Sequence, residues 1–200
     1  MSKENYIQTL QEIRTMMDSS SRFLSLSGMS GVFAGIYAII SAGIAYKVLG
    51  GLEHYERMSD HRGFFLLLGI GTLVASICTA FLFTQNKARK KGVAIWDDTV
   101  KKAMVQLSIP LVAGGLFCLS LMYNGIYGYL APATLIFYGL ALVSVSRYTF
   151  PFIKQLGFME IFLGLLNSFM IGYGLVFWII GFGLLHICYG IYMYIKYDTK

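Results

Sequence analysis

Residues 103–146 read AMVQLSIPLVAGGLFCLSLMYNGIYGYLAPATLIFYGLALVSVS, which is 44 consecutive positions without Asp, Glu, Lys or Arg. About 20 helical residues, each rising roughly 1.5 Å, cross a bilayer core about 30 Å thick, so this run is long enough for two spans. Asn124-Gly125 lies near its middle, and Asn-Gly is a strong turn former. The run therefore predicts a hairpin of two transmembrane helices.

The other apolar tracts follow the same pattern. Residues 23–46 and 63–86 carry no charge and fit one span each, while residues 155–195 carry only Glu160 and divide at Gly172-Tyr173-Gly174. These tracts are apolar on every face, whereas the strands of a membrane barrel alternate apolar and polar residues. We therefore predict an all-α polytopic membrane protein with six transmembrane helices. The predicted spans are about 27–47, 64–84, 104–123, 130–147, 157–172 and 176–195.

The basic residues predict the orientation of these spans. With the amino terminus inside, 13 of the 16 basic residues face the cytoplasm, and only Lys47, Arg57 and Arg62 lie outside. Cytoplasmic loops carry the excess of Lys and Arg in membrane proteins, so we expect both ends of the chain in the cytoplasm. The net charge of +6 then reflects topology and attraction to anionic lipid, and we expect no nucleic-acid partner.

The chain divides into a cytoplasmic segment, residues 1–22, and a transmembrane domain, residues 23–200. Tyr6, Leu10, Ile13 and Met17 fall on one helical stripe, which is typical of an amphipathic helix. Such a helix lies on the membrane surface or docks against a partner or the cytoplasmic loops; the sequence leaves these alternatives open.

Small residues recur at four-residue spacing in the first span, at Ser27, Gly31 and Gly35. This spacing lets two helix backbones approach closely in lipid. It is explained by packing within one chain or by a homodimer seam. The expected partners are therefore the lipid bilayer and either another membrane protein or a second copy of this chain.

Two ionisable side chains lie within the predicted spans, Glu160 near the cytoplasmic end of the fifth and His186 near the middle of the sixth. Ionisable groups are costly in hydrocarbon and mark candidate sites. At roughly 1.5 Å per residue, Asn167 and His186 lie at similar depths, so we expect a hydrogen bond between them. Glu160 is expected to reach headgroup water or Lys154.

The candidate substrate-binding residues are accordingly His186, Asn167, Glu160 and Tyr189. Three interpretations of His186 stay open: a neutral structural histidine in a tight helix contact, a proton-relay or solute site, and an axial haem ligand. The sequence contains no recognisable catalytic motif, and we predict no catalytic residue and no cofactor.

The loop after the first span contains two histidines, His54 and His61, seven positions apart. If the loop were helical, they would share a face and could ligate a divalent metal. Charged interfacial loops of this kind are common without metal, so they are weak candidates and we predict no metal site.

Three stretches of the chain also resemble a family of small, uncharacterised bacterial inner-membrane proteins. They are Ser20-Ser21-Arg22-Phe23-Leu24-Ser25-Leu26-Ser27-Gly28, Leu135-Ile136-Phe137-Tyr138-Gly139-Leu140-Ala141-Leu142, and the tail from Phe177-Trp178 to His186-Ile187-Cys188-Tyr189-Gly190. The resemblance implies a location in a bacterial inner membrane and brings no activity with it.

Two functional classes follow from the sequence. The first is a structural or regulatory membrane component that works through partners, indicated by small loops and abundant glycine. The second is a small-solute transporter or channel whose path is lined by Pro110, Asn167 and His186, since kinked helices form solute sites in transporters. The second class predicts a polar cavity around His186.

Overall fold

The computed structural model of the protein describes residues 27–51, 54–91, 96 and 98–198. Within these residues the chain is helical and contains no strand. The segment predicted for residues 1–22 lies outside them. The long helices are α1 (Gly28–Leu49), α2 (Arg62–Lys91), α3 (Asp98–Tyr123), α4 (Leu130–Val145), α5 (Pro151–Phe169) and α6 (Ile171–Asp198).

Five of the helices, α1, α2, α3, α4 and α6, are long and apolar enough to cross a membrane, judged by length and composition within the described residues. The prediction of an all-helical protein is thereby confirmed for the described residues, and five of the helices have the length and apolarity that a membrane span requires. The remaining helix, α5, has 19 residues and includes Lys154, Glu160 and Asn167, and these polar side chains reduce its mean hydropathy.

Several helices extend beyond the predicted spans. The second runs to Lys91 rather than to residue 84, because backbone hydrogen bonding continues after the apolar residues end. The fifth begins at Pro151, six residues before the predicted start, and ends at Phe169. Proline is favoured at the first helical position, where its missing N–H is not needed, and extended Phe150 precedes it.

The predicted turn at Asn124-Gly125 is confirmed. Gly125 has a φ of 73°, and the Ile126 N–H donates to the carbonyl of Leu121 at 2.8 Å. This is the 6→1 hydrogen bond of the Schellman motif, in which a helix ends at a glycine in the left-handed conformation. The turn reverses the chain between α3 and α4.

Glycines allow α1 to approach α6 closely. A Cβ atom at Gly35 would lie 2.6 Å from the carbonyl oxygen of Gly183, and one at Gly31 would lie 3.2 Å from Cα of Gly190. The small-residue stripe predicted in the first span therefore packs within this chain. The same stripe is not available as the homodimer seam considered above.

The helices differ in how much of their surface other helices cover. α4 packs extensively on α5, and α6 lies against α1, α4 and α5. α2 packs mainly on α1, and α3 mainly on α4, so almost none of the residues in their apolar stretches is fully buried. The core of the bundle thus lies among α1, α4, α5 and α6.

An ionic cluster fixes the end of α6 to two other helices. The carboxylate of Asp198 accepts hydrogen bonds from the Gly28 N–H at 2.9 Å and the Ser27 hydroxyl at 3.0 Å. The Lys87 ammonium of α2 donates to its other oxygen at 2.6 Å. An acceptor at a helix N-terminus satisfies N–H groups that the helix leaves unpaired. Asp198 therefore caps α1 from the far end of the sequence.

Helix α6 changes its winding along its length. It is α-helical over Gly174–Trp178, π-helical over Ile179–Leu185 and α-helical again over His186–Met193. A π-helix is wider than an α-helix, is rare, and occurs frequently at functional sites. The π-helical segment ends immediately before His186.

Candidate functional site

The middle of the bundle brings together three polar side chains from three helices. Tyr138 lies on α4, Glu160 at the centre of α5, and His186 on α6 directly after the π-helical segment. Glu160 is 0% exposed and His186 is 6% exposed. We call these three residues the buried triad.

Hydrogen bonds fix the orientation of the His186 ring. Its Nε2 lies 2.8 Å from the hydroxyl of Tyr138, and its Nδ1 lies 3.0 Å from the carbonyl oxygen of Gly181. Because a carbonyl oxygen can only accept, we assign a proton to Nδ1. Nε2 of the neutral ring then accepts a hydrogen bond from the Tyr138 hydroxyl. This assignment satisfies both ring nitrogens.

Glu160 has far fewer partners. Its Oε1 lies 3.4 Å from His186 Nδ1, which is close enough for an ion pair. Neither carboxyl oxygen has a hydrogen-bond partner among the described residues. An isolated buried carboxylate costs several kcal/mol, so Glu160 either holds a proton or faces a protonated His186.

Gly181 makes room for the carboxyl group. A Cβ atom at this position would lie 2.6 Å from Glu160 Oε2 and would also overlap Leu135. The carboxyl group therefore rests directly on the backbone of α6. The π-helical segment holds Gly181 here and aims its carbonyl at the His186 ring.

Aromatic rings cover the triad on one side. Phe182 lies 5.1 Å from the Tyr138 ring and 6.0 Å from the His186 ring, centre to centre, and Trp178 lies 4.6 Å beyond Phe182. These rings are apolar and lower the local dielectric constant, which strengthens charge interactions inside the site.

Two expectations about the predicted site residues are wrong. His186 does not bond to Asn167, because Tyr138 and Gly181 occupy its ring nitrogens. Glu160 does not reach headgroup water or Lys154, because its side chain is enclosed by α4 and α6. The depth estimate put the wrong residue of α5 level with His186, since Glu160 and not Asn167 lies beside its ring.

Asn167 and Tyr189 are both removed from water but do not join the triad's hydrogen bonds. The Asn167 amide donates to the Met170 carbonyl at 3.0 Å, which fastens the end of α5, and its Oδ1 is unpaired among the described residues. The Tyr189 hydroxyl is likewise buried without a described partner. Its ring packs near an aliphatic cluster that includes Leu142 and Leu156.

Sequence reasoning missed Tyr138 and Gly181. Tyr138 lies near the middle of a predicted span, as His186 does, and this shared depth was the available signal. Gly181 and Gly183 before His186 marked a place of close helix approach, but the π-helical winding that directs the Gly181 carbonyl has no recognisable sequence signature.

The loop histidines do not form the helical face that a metal site would require. His54 precedes a short 3₁₀ helix, Tyr55–Ser59, and His61 precedes α2, so no single helix carries both. Both are exposed. A search of the described residues finds no group of three potential metal ligands.

In the described residues, the fold and site define a helical protein with five helices long and apolar enough to cross a membrane and with a buried acid–imidazole pair. Comparison with known proteins finds no matching family model, no similar curated protein and no similar solved structure. The resemblance to small bacterial inner-membrane proteins therefore stays a prediction, and the functional argument rests on the triad.

Proposed function

We propose that this protein is an integral membrane protein that binds and releases a proton at the Glu160–His186 pair. The observation that carries the proposal is a fully buried carboxyl group that faces an imidazole and meets no hydrogen-bond donor of its own. Ionisable groups in the interior of membrane proteins mark proton and ion pathways. Buried polar groups without partners require such an explanation.

The pair has two forms of net charge zero, since one proton resides on either the carboxyl group or the imidazole. An arriving proton occupies the remaining basic site and raises the net charge of the pair to +1. Its departure restores the neutral pair. Because adjacent ionisable groups titrate jointly, the pair acts as one proton-binding unit.

Tyr138 responds to the charge of His186. Its hydroxyl donates to the neutral ring and must turn to accept from the protonated ring, since the protonated imidazole has two donors. The 2.8 Å contact between Tyr138 and His186 Nε2 therefore links proton uptake on α6 to a hydroxyl of α4.

A proton suits the site better than a larger solute. The triad is enclosed, and a cleft of about 460 Å³ lies elsewhere, at a loop end among Tyr55, Glu56, Arg62 and Asn124. A solute would need a cavity around His186, as the transporter interpretation predicted. A proton is carried by the side chains themselves and needs no such cavity.

The membrane arrangement is part of the proposal. All six helices, α5 included, cross the membrane, with both chain ends in the cytoplasm and the protein in a bacterial inner membrane. The distribution of Lys and Arg supports this orientation. If α5 crosses the membrane as proposed, Glu160 lies near the bilayer midplane, because it is nine residues from either end of this helix.

A second candidate function is a structural or regulatory component that binds a membrane partner. The observation that favours it is the exposure of α2 and α3, each of which packs mainly on one neighbouring helix. Lipid or a partner helix would cover these faces. Co-purification of another protein at fixed stoichiometry in mild detergent would support this candidate, and a lone monomer in several detergents would contradict it.

The proposal is tested by counting protons. Purified protein in micelles is titrated while a soluble indicator reports the number of protons bound. Glu160→Gln and His186→Gln should each remove one proton-binding step, whereas Glu56→Gln, at an exposed loop position, should leave the step of the pair intact. If Glu160→Gln binds the same protons as the unmodified protein, the proposal is wrong.

A further inference from the structure

We infer that the proton reaches the Glu160–His186 pair from the end of the bundle where α5 finishes at Phe169, past Asn167 and Trp178. This end is called the Phe169 end, and the opposite one the Asp198 end. The inference rests on the proposed function and adds the direction of access, which the triad itself does not define.

Helix α5 is asymmetric about Glu160. Four and seven residues toward the Asp198 end lie Leu156 and Ile153, both buried members of the aliphatic cluster. Four and seven residues toward the Phe169 end lie Gly164 and Asn167, also buried. Residues at these spacings share a helix face, so the same face is aliphatic on one side of the carboxyl group and small or polar on the other.

Helix α4 repeats this asymmetry about Tyr138. Leu142 and Val145 follow it by four and seven residues toward the Asp198 end and belong to the same aliphatic cluster. Thr134 precedes it by four residues toward the Phe169 end, with its hydroxyl donating to the Ala131 carbonyl. An aliphatic core stays free of water, whereas buried polar groups hold it.

Helix α6 adds a second unpaired polar atom toward the Phe169 end. The indole N–H of Trp178 is buried without a described partner. The Trp178 ring lies tilted against Phe182, which in turn stacks on His186. Asn167 Oδ1 is an acceptor and Trp178 Nε1 a donor, so both kinds of partner that a water molecule needs occur in this half.

Tyr189 is a polar residue on the other side of His186, and it would favour proton access from the Asp198 end. It follows His186 by three residues, and its hydroxyl is also unpaired. The route beyond it is closed, because Met193, four residues further along the same helix face, is 0% exposed and the ring of Tyr189 packs against the aliphatic cluster. Tyr189 therefore serves as the control position.

A kinetic experiment tests the route. After a rapid pH jump in micelles, the rate of proton uptake by the pair is followed with the soluble indicator. Asn167→Leu and Trp178→Phe should each slow uptake by roughly tenfold, equivalent to ~1.4 kcal/mol of barrier, without changing the number of protons bound. Tyr189→Phe should leave the rate unchanged. A slower rate in Tyr189→Phe alone would overturn the inference.

A second experiment leaves Asn167, Trp178 and the triad intact, and so does not depend on their variants folding. Trp96→Phe makes Trp178 the only tryptophan of the chain, and its contact with Phe182 places this fluorophore close to His186. The variant is reconstituted in liposomes, and its orientation is scored by labelling Asn124→Cys with an impermeant reagent in a background without other cysteines.

The pH is then changed on one side of the membrane at a time. Fluorescence should follow the pH of the compartment that faces the Phe169 end. A response to the other compartment would overturn the inference while leaving the proposed function standing. Failure of the proposed function would instead appear as an unchanged number of bound protons in the titration of Glu160→Gln, so the two failures are distinguishable.

Discussion

Asp198 and Glu160 are both carboxyl groups held away from water, yet their surroundings differ. Asp198 accepts from Gly28 and Ser27 and pairs with Lys87 at 2.6 Å. Glu160 is more deeply buried, and its closest charged partner is a histidine nitrogen at 3.4 Å. The first carboxylate is fully supplied with donors, and the second is not.

This difference separates a structural charge from a functional one. The donors around Asp198 hold the ends of α1, α2 and α6 together. Glu160 lacks the donors that would fix one protonation state, so a single proton changes its interactions. Undersupplied polar groups are retained in proteins at a cost to stability, and such sites are commonly functional.

The largest expected effect comes from removing the cation of the Asp198 cluster. Lys87→Met leaves the Asp198 carboxylate without its ammonium partner and should lower the free energy of unfolding by roughly 3 kcal/mol. Reversible unfolding in mixed micelles with increasing SDS measures this change. Lys101→Met breaks the exposed pair with Asp98 and should have almost no effect. Equal losses in the two variants would contradict the structural role of the cluster.

Filling the space at Gly181 should be the next largest effect. Gly181→Ala drives a methyl group against Glu160 Oε2 and Leu135, and overpacking of this kind typically costs about 1–3 kcal/mol. Gly115→Ala is the matched control, because its Cβ atom meets no neighbour and alanine favours a helix. The same unfolding assay compares them. A Gly181→Ala variant as stable as the control would show that the carboxyl group does not rest on α6.

Removing the Tyr138 hydroxyl should have a smaller effect. Tyr138→Phe leaves His186 Nε2 without its hydrogen bond and should cost about 1 kcal/mol. Nitrogen chemical shifts of the His186 ring should change as well. Tyr189→Phe removes a hydroxyl that has no described partner and should alter neither quantity. Equal stabilities and equal His186 chemical shifts in the two variants would show that Tyr138 does not bond to His186.

The smallest change in stability is expected for Glu160→Gln. The amide is similar in shape to the protonated carboxyl group and, like it, carries no charge, so the substitution leaves neutral His186 beside no unpaired buried charge. Asp198→Asn, in contrast, weakens charge-assisted hydrogen bonds worth about 1.5–3 kcal/mol each. Unfolding of the two variants side by side tests the comparison directly. A larger loss of unfolding free energy in Glu160→Gln than in Asp198→Asn would show that Glu160, not Asp198, is the structural carboxyl group.

Hydropathy was sufficient to predict the helical class of the protein, and five helices long enough to cross a membrane confirm it. It located the helix ends less well, since it responds to apolar side chains while a helix ends where its backbone hydrogen bonds end. The start of α5 illustrates this. Pro151 was the available signal, but the predicted span began six residues later, after the polar pair Lys154-Gln155.

The site was only partly predictable. Glu160 and His186 stood out as ionisable residues in apolar tracts, and they do meet. Their partners could not be chosen from depth alone, because the rotation of each helix and the π-helical segment Ile179–Leu185 decide which side chains face one another. The Asp198 cluster joins residues about 170 positions apart, and nothing local to Asp198 indicates its capping role.

Infrared difference spectroscopy between low and high pH tests most directly whether Glu160 exchanges a proton. We predict a carboxylic-acid carbonyl band at low pH that disappears as the pH rises. That band should be absent in Glu160→Gln and shifted in His186→Gln. A band that persists in Glu160→Gln, or a Glu160 carboxyl group that keeps one protonation state wherever the protein is folded, would contradict proton exchange at Glu160.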